Sequence, residues 1–235
     1  MSASEVTKDL KKLTDPKQAK VSAWFFKTGK GEYGEGDVFL GIRVPEQRKV
    51  ALRYRELPLP EITKLLKSQI HEHRFVALEI LVAKYENGNV LEQKRIIGFY
   101  LKHTKFINNW DLVDTSAPYI LGDYLYSKNR KILYTLAKSK NIWERRIAML
   151  STFGFIKRED YKDALAIAKL LLTDTHDLIH KAVGWMLREI GNRSLPTELA
   201  FLKKHAPRMP RTALRYAIEK FSEPKRQYFL SIKFK

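Results

Sequence analysis

The sequence predicts an all-α solenoid of stacked helix pairs, and three observations carry that expectation. Apolar residues recur at helical spacing along most of the chain, as in RFVALEILVAKY from Arg74 and YKDALAIAKLLL from Tyr161. Glycine is scarce, at 11 of 235 residues, and the 9 prolines fall at segment edges. Five segments also begin alike: RFVALEIL at Arg74, NWDLVDTS at Asn109, RRIAMLST at Arg145, HKAVGWML at His180 and RTALRYAI at Arg211, at intervals of 35, 36, 35 and 31 residues.

Each interval leaves room for one more helix, so the repeating unit is a helix pair with a period near that of HEAT-like repeats. Such units stack, each burying its apolar face on its neighbours. No domain boundary is visible, and residues 1–235 are expected to form one HEAT-like repeat domain with a concave basic groove.

The elements follow in chain order. MSASEVTKDLKKL is an amphipathic helical start rather than a signal peptide. Asp15-Pro16, Pro45-Glu46, Pro60-Glu61, Ser194-Leu195-Pro196 and Pro210 each place proline in or near a first helical turn. Stops are expected at Gly29, Gly88 and Gly191. The stretch TGKGEYGEGDVFLGIRV, Thr28 to Val44, resists a helical reading because five glycines crowd into it. It reads as an inter-helix loop; its order is wrong for a phosphate cradle, although Lys27 and Lys30 are within reach of a phosphate backbone.

Stacking allows the repeat to be read in columns. Ala77, Leu112, Ala148, Val183 and Leu214 form an apolar column assigned to the core. Phe75, Trp110, Arg146, Lys181 and Thr212 form a second column; Glu79, Asp114, Leu150, Trp185 and Tyr216 form a third, four residues on and so on the same helical face. That face is not core-like. The second helices of a solenoid line its concave surface, which would gather Trp110, Asp114, Arg146, Lys181 and Trp185 in one groove. The residues that open the segments, Arg74, Asn109, Arg145, His180 and Arg211, are expected at helix N-termini, where a row of them would track phosphates.

Charge narrows the partner. Lys and Arg number 44 against 26 Asp and Glu, a net charge of +18, which favours a polyanion and above all nucleic acid. No apolar run is long enough for a membrane span, so a cytoplasmic protein without a membrane partner is expected. Cysteine is absent, which removes disulfides, thiol catalysis and Cys-based zinc sites. The six histidines form no metal-ligand pattern, and serine-hydrolase, kinase and Walker motifs are missing. Any chemistry must come from carboxylate, aromatic and basic groups, with no metal or cofactor.

One reaction asks for little more. A purine alkylated at N3 or N7 is already cationic, so it leaves as a neutral base without a general acid. A single carboxylate then suffices to stabilise the oxocarbenium-like sugar and orient water. Indole faces favour the same cation. Asp114 between Trp110 and Trp185 fits that requirement, with Arg146 on the adjacent phosphate.

The chain resembles the AlkD family of DNA alkylation repair glycosylases, which are HEAT-like solenoids. The resemblance rests on FLGIRVPEQR (Phe39 to Arg48), NWDLVDTSAPYILGD (Asn109 to Asp123), NIWERRIAML (Asn141 to Leu150) and HKAVGWMLREIGN (His180 to Asn192). It implies excision of N3- and N7-alkylpurines from duplex DNA by a protein expected to act as a monomer. Asp114 is implied as the catalytic carboxylate, with Trp110 and Trp185 against the lesion nucleotide. A phosphate contact is implied at Arg146, and DNA contacts at Arg188 and Phe25. The column and segment-start positions Lys181 and Arg145, and Lys27 beside the glycine-rich loop, are further expected DNA contacts from the residues themselves. Two positions depart from the family pattern. Phe25 stands where tyrosine is common, and Asn109 where a second tryptophan can occur. The alternatives are a HEAT-like DNA-binding module without chemistry and a protein-binding scaffold.

Overall fold

The computed structural model describes residues 1–233, and it is all-α. Among the described residues the sole β-type pairing is one bridge between Val38 and Ile70, and no helix is long and apolar enough to cross a membrane. The chain divides into two compact units, one spanning Met1–Ser116 and the other starting at Ala117.

The first unit runs α1 (Ala3–Lys11), α2 (Pro16–Phe25), α3 (Val44–Arg53), α4 (Leu59–Leu66), α5 (His71–Asn87), α6 (Val90–Lys102) and α7 (Trp110–Ser116). The starts obey the local chemistry. Ser2 and Glu5 form a capping box on α1, Asp15 caps α2 ahead of Pro16, and Asn89 and Glu92 do the same for α6. Pro45 and Pro60 occupy the first turns of α3 and α4, where a missing N–H costs nothing.

α5 is the hub, packing against α3, α4, α6 and α7. Its apolar residues show little one-sidedness because Phe75, Val76, Ala77, Leu78, Ile80 and Leu81 are all buried, as expected of a helix enclosed on most sides. The loop between α2 and α3 returns to α2 at Gly41. A Cβ there would lie 2.2 Å from the Asp15 carbonyl oxygen, and φ is +81°, so glycine is required twice over. Glu72 holds the same turn by accepting hydrogen bonds from the backbone N–H groups of Leu40, Gly41 and Ile42 at 2.8–3.3 Å.

The second unit opens with a π-helical turn, Pro118–Gly122. It continues with α8 (Asp123–Leu125), α9 (Lys131–Ala137), α10 (Ile142–Ser151), α11 (Phe153–Ile156), α12 (Lys162–Leu171), α13 (Asp177–Gly191), α14 (Leu195–His205), α15 (Arg211–Ala217) and α16 (Glu223–Ser231). α9 pairs with α10 and α12 with α13, while α10, α13 and α15 stack in succession. The α13–α15 approach is close enough that a Cβ at Gly184 would sit 2.3 Å from the Ala213 carbonyl oxygen.

The apolar column is core throughout: Ala77, Leu112, Ala148, Val183 and Leu214 are buried. The helix starts require a correction. Arg74, Arg145 and His180 lie one turn inside α5, α10 and α13, because Ile70, Asn141 and His176 are the cap positions.

Candidate functional site

The short helix α7 carries the predicted carboxylate. Asn109, fully buried, precedes it; its Oδ1 accepts from the Trp110 N–H at 2.8 Å and its Nδ2 donates to Asp37 at 3.3 Å. Leu112 and Val113 turn into the core, which leaves Trp110 and Asp114, one turn apart, half-buried on the other side. Asp114 lies near enough to the buried Tyr100 that its charge adds to burial in pushing that phenol well above its ordinary pKa.

Trp110 is seated in a wall of rings. Its indole stacks on Phe26, with centroids 5.1 Å apart and planes at 13°, and meets the edge of Phe25 at 5.9 Å. Phe26 stacks in turn on Phe39 at 5.0 Å, and both lie against the imidazole of His71, at 4.9 and 4.6 Å. Phe25 is 54% exposed, so this predicted contact residue flanks Trp110 from the solvent side. Lys27 follows at the end of α2, exposed, with Nζ 5.8 Å from the Trp24 ring.

Beneath the rings is a buried ionic network. His71 Nε2 lies 2.7 Å from Asp111 and Nδ1 lies 3.2 Å from Asp37, whose other oxygen pairs with Arg74 at 2.7 Å. His71 is 2% exposed. Burial works against its charge, but the Asp111 carboxylate, by attraction and hydrogen bonding, and then Asp37 outweigh it and push its pKa up to about 9. Burial likewise opposes ionisation of Asp37, yet His71 and Arg74 hold its carboxyl below the usual range. A charged imidazolium therefore bridges α5, the glycine-rich loop and the first turn of α7. Nothing local in the sequence marks His71, because its partners Asp37 and Asp111 lie 34 and 40 residues away.

In the second unit several predicted DNA contacts have internal partners. Arg146 is 4% exposed and donates from Nη1 to the Leu178 carbonyl at 2.7 Å, so it ties α10 to α13 and is not the solvated side chain the column reading expected. Arg145 pairs with Asp174 at 2.5 Å and donates to the carbonyls of Ser139 and Lys140. Arg188 pairs with Glu219, linking α13 to the turn after α15. Lys181 is partly exposed and pairs with Asp177 one turn back at 2.7 Å. Trp185 is half-buried beside Phe153, at 6.5 Å, with Nε1 donating to Glu189 at 3.3 Å.

The residues that open the segments are each engaged internally. Arg74 is buried against Asp37, Asn109 and Arg145 are engaged as above, His180 Nε2 bonds the Asp174 carbonyl at 2.6 Å, and Arg211 donates to the carbonyls of Leu230 and Ile232. A side chain one turn inside a helix meets the preceding loop, whose carbonyls compete for its donors. The two polar columns are mixed as well, for Phe75 and Leu150 are core residues. Glu79 accepts from Arg48 and Thr115, and Tyr216 is half-buried. What the first unit does bring together is Phe25, Trp110 and Asp114.

A family model described as DNA alkylation repair enzyme matches residues 6–221. Among solved structures, a predicted DNA alkylation repair enzyme from Enterococcus faecalis is similar at a TM-score of 0.68 and 17% identity, over 89% of this chain and 97% of that one. This likeness is one of fold. No curated protein matches the sequence.

Proposed function

The chain belongs to the DNA alkylation repair enzyme family, and on that premise we propose that it is a monofunctional glycosylase. Its substrate is duplex DNA carrying a cationic N3- or N7-alkylated purine. The observation that supports this reading most is the pairing on α7 of a carboxylate with an indole one turn away, both half-buried, on a helix whose other face is core.

The chemistry follows from the charges. The bond from the sugar C1′ to the purine nitrogen breaks with its electron pair passing to the cationic base, which departs neutral. C1′ becomes oxocarbenium-like, and the fixed anion of Asp114 stabilises that charge without having to reorganise. Water adds at C1′, oriented by the same carboxylate, and its proton passes to Asp114 or solvent, leaving an abasic site. Trp110, backed by Phe26, presents an electron-rich ring beside the cation. Trp185, in the second unit, is assigned as a further aromatic contact to the DNA. Phosphate contacts fall to Lys27 and Lys181, and to Arg145, Arg146 and Arg188 to the extent that DNA displaces their internal partners. The partner is alkylated double-stranded DNA, and the acting species is a cytoplasmic monomer needing no cofactor.

The test is release of N7-methylguanine or N3-methyladenine from methylated duplex DNA. Wild type should release base, and Asp114→Asn should be slower by about a thousandfold while holding DNA within a few fold. Equal background release by both proteins would overturn the reading and leave a DNA-binding module.

A further inference from the structure

The residues that position Trp110 do not account for the rest of α2. No residue of this helix is fully buried, and its outer ridge is apolar. Val21 is 55% exposed and Trp24 74%, and the ridge continues through Phe25 to the Trp110 indole. Lys17, Lys20, Lys27 and Lys30 flank it, all exposed, and residues 16–31 contain no acid. Among the described residues none of these lysines is in an ion pair. A large exposed indole on a surface helix rimmed by cations marks an interface.

The occupant has to supply two things, anionic groups along a line and a flat apolar face. A nucleic acid strand supplies both, phosphates every few ångströms and the faces of its bases. In intact duplex those faces are hidden by their neighbours, so an indole reaches one only where a nucleotide is unpaired or unstacked. Lys27 Nζ lies 5.8 Å from the Trp24 ring centroid, the right neighbourhood for the phosphate of a base lying on that ring.

We propose that Trp24 is a stacking platform for an unpaired base in the bound strand, with Lys17, Lys20 and Lys27 meeting its phosphates. This rests on DNA being the partner, as above, and adds a preference for locally opened DNA at a place separate from Asp114. Stacking is sequence-tolerant, so the platform favours no particular base.

The experiment measures binding of labelled oligonucleotides to wild type, Trp24→Ala and Trp24→Phe by fluorescence anisotropy, using a fully paired duplex, the same duplex with one unpaired nucleotide, and a single strand. Thermal unfolding of the variants should match wild type, since the side chain is exposed. Trp24→Ala should lose about tenfold in affinity for the two DNAs with unpaired bases and less than twofold for the paired duplex. Trp24→Phe should recover most of the loss. The salt slope should be unchanged by Trp24→Ala and shallower in a Lys17→Gln, Lys20→Gln, Lys27→Gln variant.

A Trp24→Ala protein that matches wild type on all three DNAs overturns the platform while leaving the glycosylase reading intact. Wild type that binds no DNA at low salt overturns both. Vesicles containing anionic lipid form a further arm: tight binding lost in Trp24→Ala, with no change on DNA, would make α2 a membrane-surface helix and reject the platform.

Discussion

The indole of Trp110 lies flat on the phenyl ring of Phe26, with the two planes only 13° from parallel. Phe26 thus sets the tilt of the aromatic side chain one turn before Asp114. Removing it should leave the carboxylate in place while loosening the indole. We expect Phe26→Ala to slow base release by about tenfold, a positioning loss. The tryptophan emission should shift to the red, and a rate equal to wild type would remove Phe26 from the account.

His71 gives a pH dependence whose sign is determined. Its folded-state pKa of about 9 lies above the ordinary 6.5, so the stabilisation is fully present below pH 6.5 and is lost as pH rises through 9. His71→Gln breaks a buried charge pair and should destabilise the fold by about 3 kcal/mol at pH 6. The gap between variant and wild type in urea unfolding should narrow toward pH 10. A gap that stays constant with pH would show that the imidazole is not charged there.

Glu198 adds a loss of stability in the same direction, as pH rises, but through a carboxyl held neutral rather than an imidazole held charged. It is 1% exposed, its Oε1 has no hydrogen-bond partner among the described residues, and it lies where a Cβ on Gly191 would come within 1.7 Å of Oε2. Burial pushes its pKa up to about 8, with Arg188 pulling weakly the other way. The acid is thus neutral in the fold near neutrality. Stability is full below its ordinary 4.5 and falls as pH rises through 8. Glu198→Gln should be neutral to mildly destabilising at pH 5 and more stable than wild type at pH 9, on the order of 2 kcal/mol. Denaturant midpoints at the two pH values check this.

Gly184 permits a close approach between α13 and α15. Gly184→Val would drive a side chain into the backbone at Ala213 and the Cβ of Tyr216. We expect at least 3 kcal/mol of destabilisation, beyond the usual cost of overpacking because the obstacle is main chain. A melting temperature within two or three degrees of wild type would contradict the packing described.

The fold was legible because its information is local. Pro16, Pro45, Pro60 and Pro196 mark first turns by stereochemistry that needs no partner, and the column from Ala77 to Leu214 follows from helical period alone. The pairing of Trp110 with Asp114 was legible for the same reason. What sequence could not supply is how a long side chain chooses among distant acceptors. Arg145, Arg146 and Arg188 read as free cations in one dimension, yet each meets an acceptor 29 to 32 residues away. Asp37, in a loop of glycines, gives no sign that it receives Arg74 and His71.

That cluster of Asp37, His71, Arg74 and Asp111 has an evolutionary corollary. Each member neutralises another where water cannot substitute, so a first replacement is costly and a second or third is cheap once the first has occurred. The four positions should drift as a block: relatives either keep all of them or have exchanged the whole set for apolar residues, and intermediate combinations should be rare.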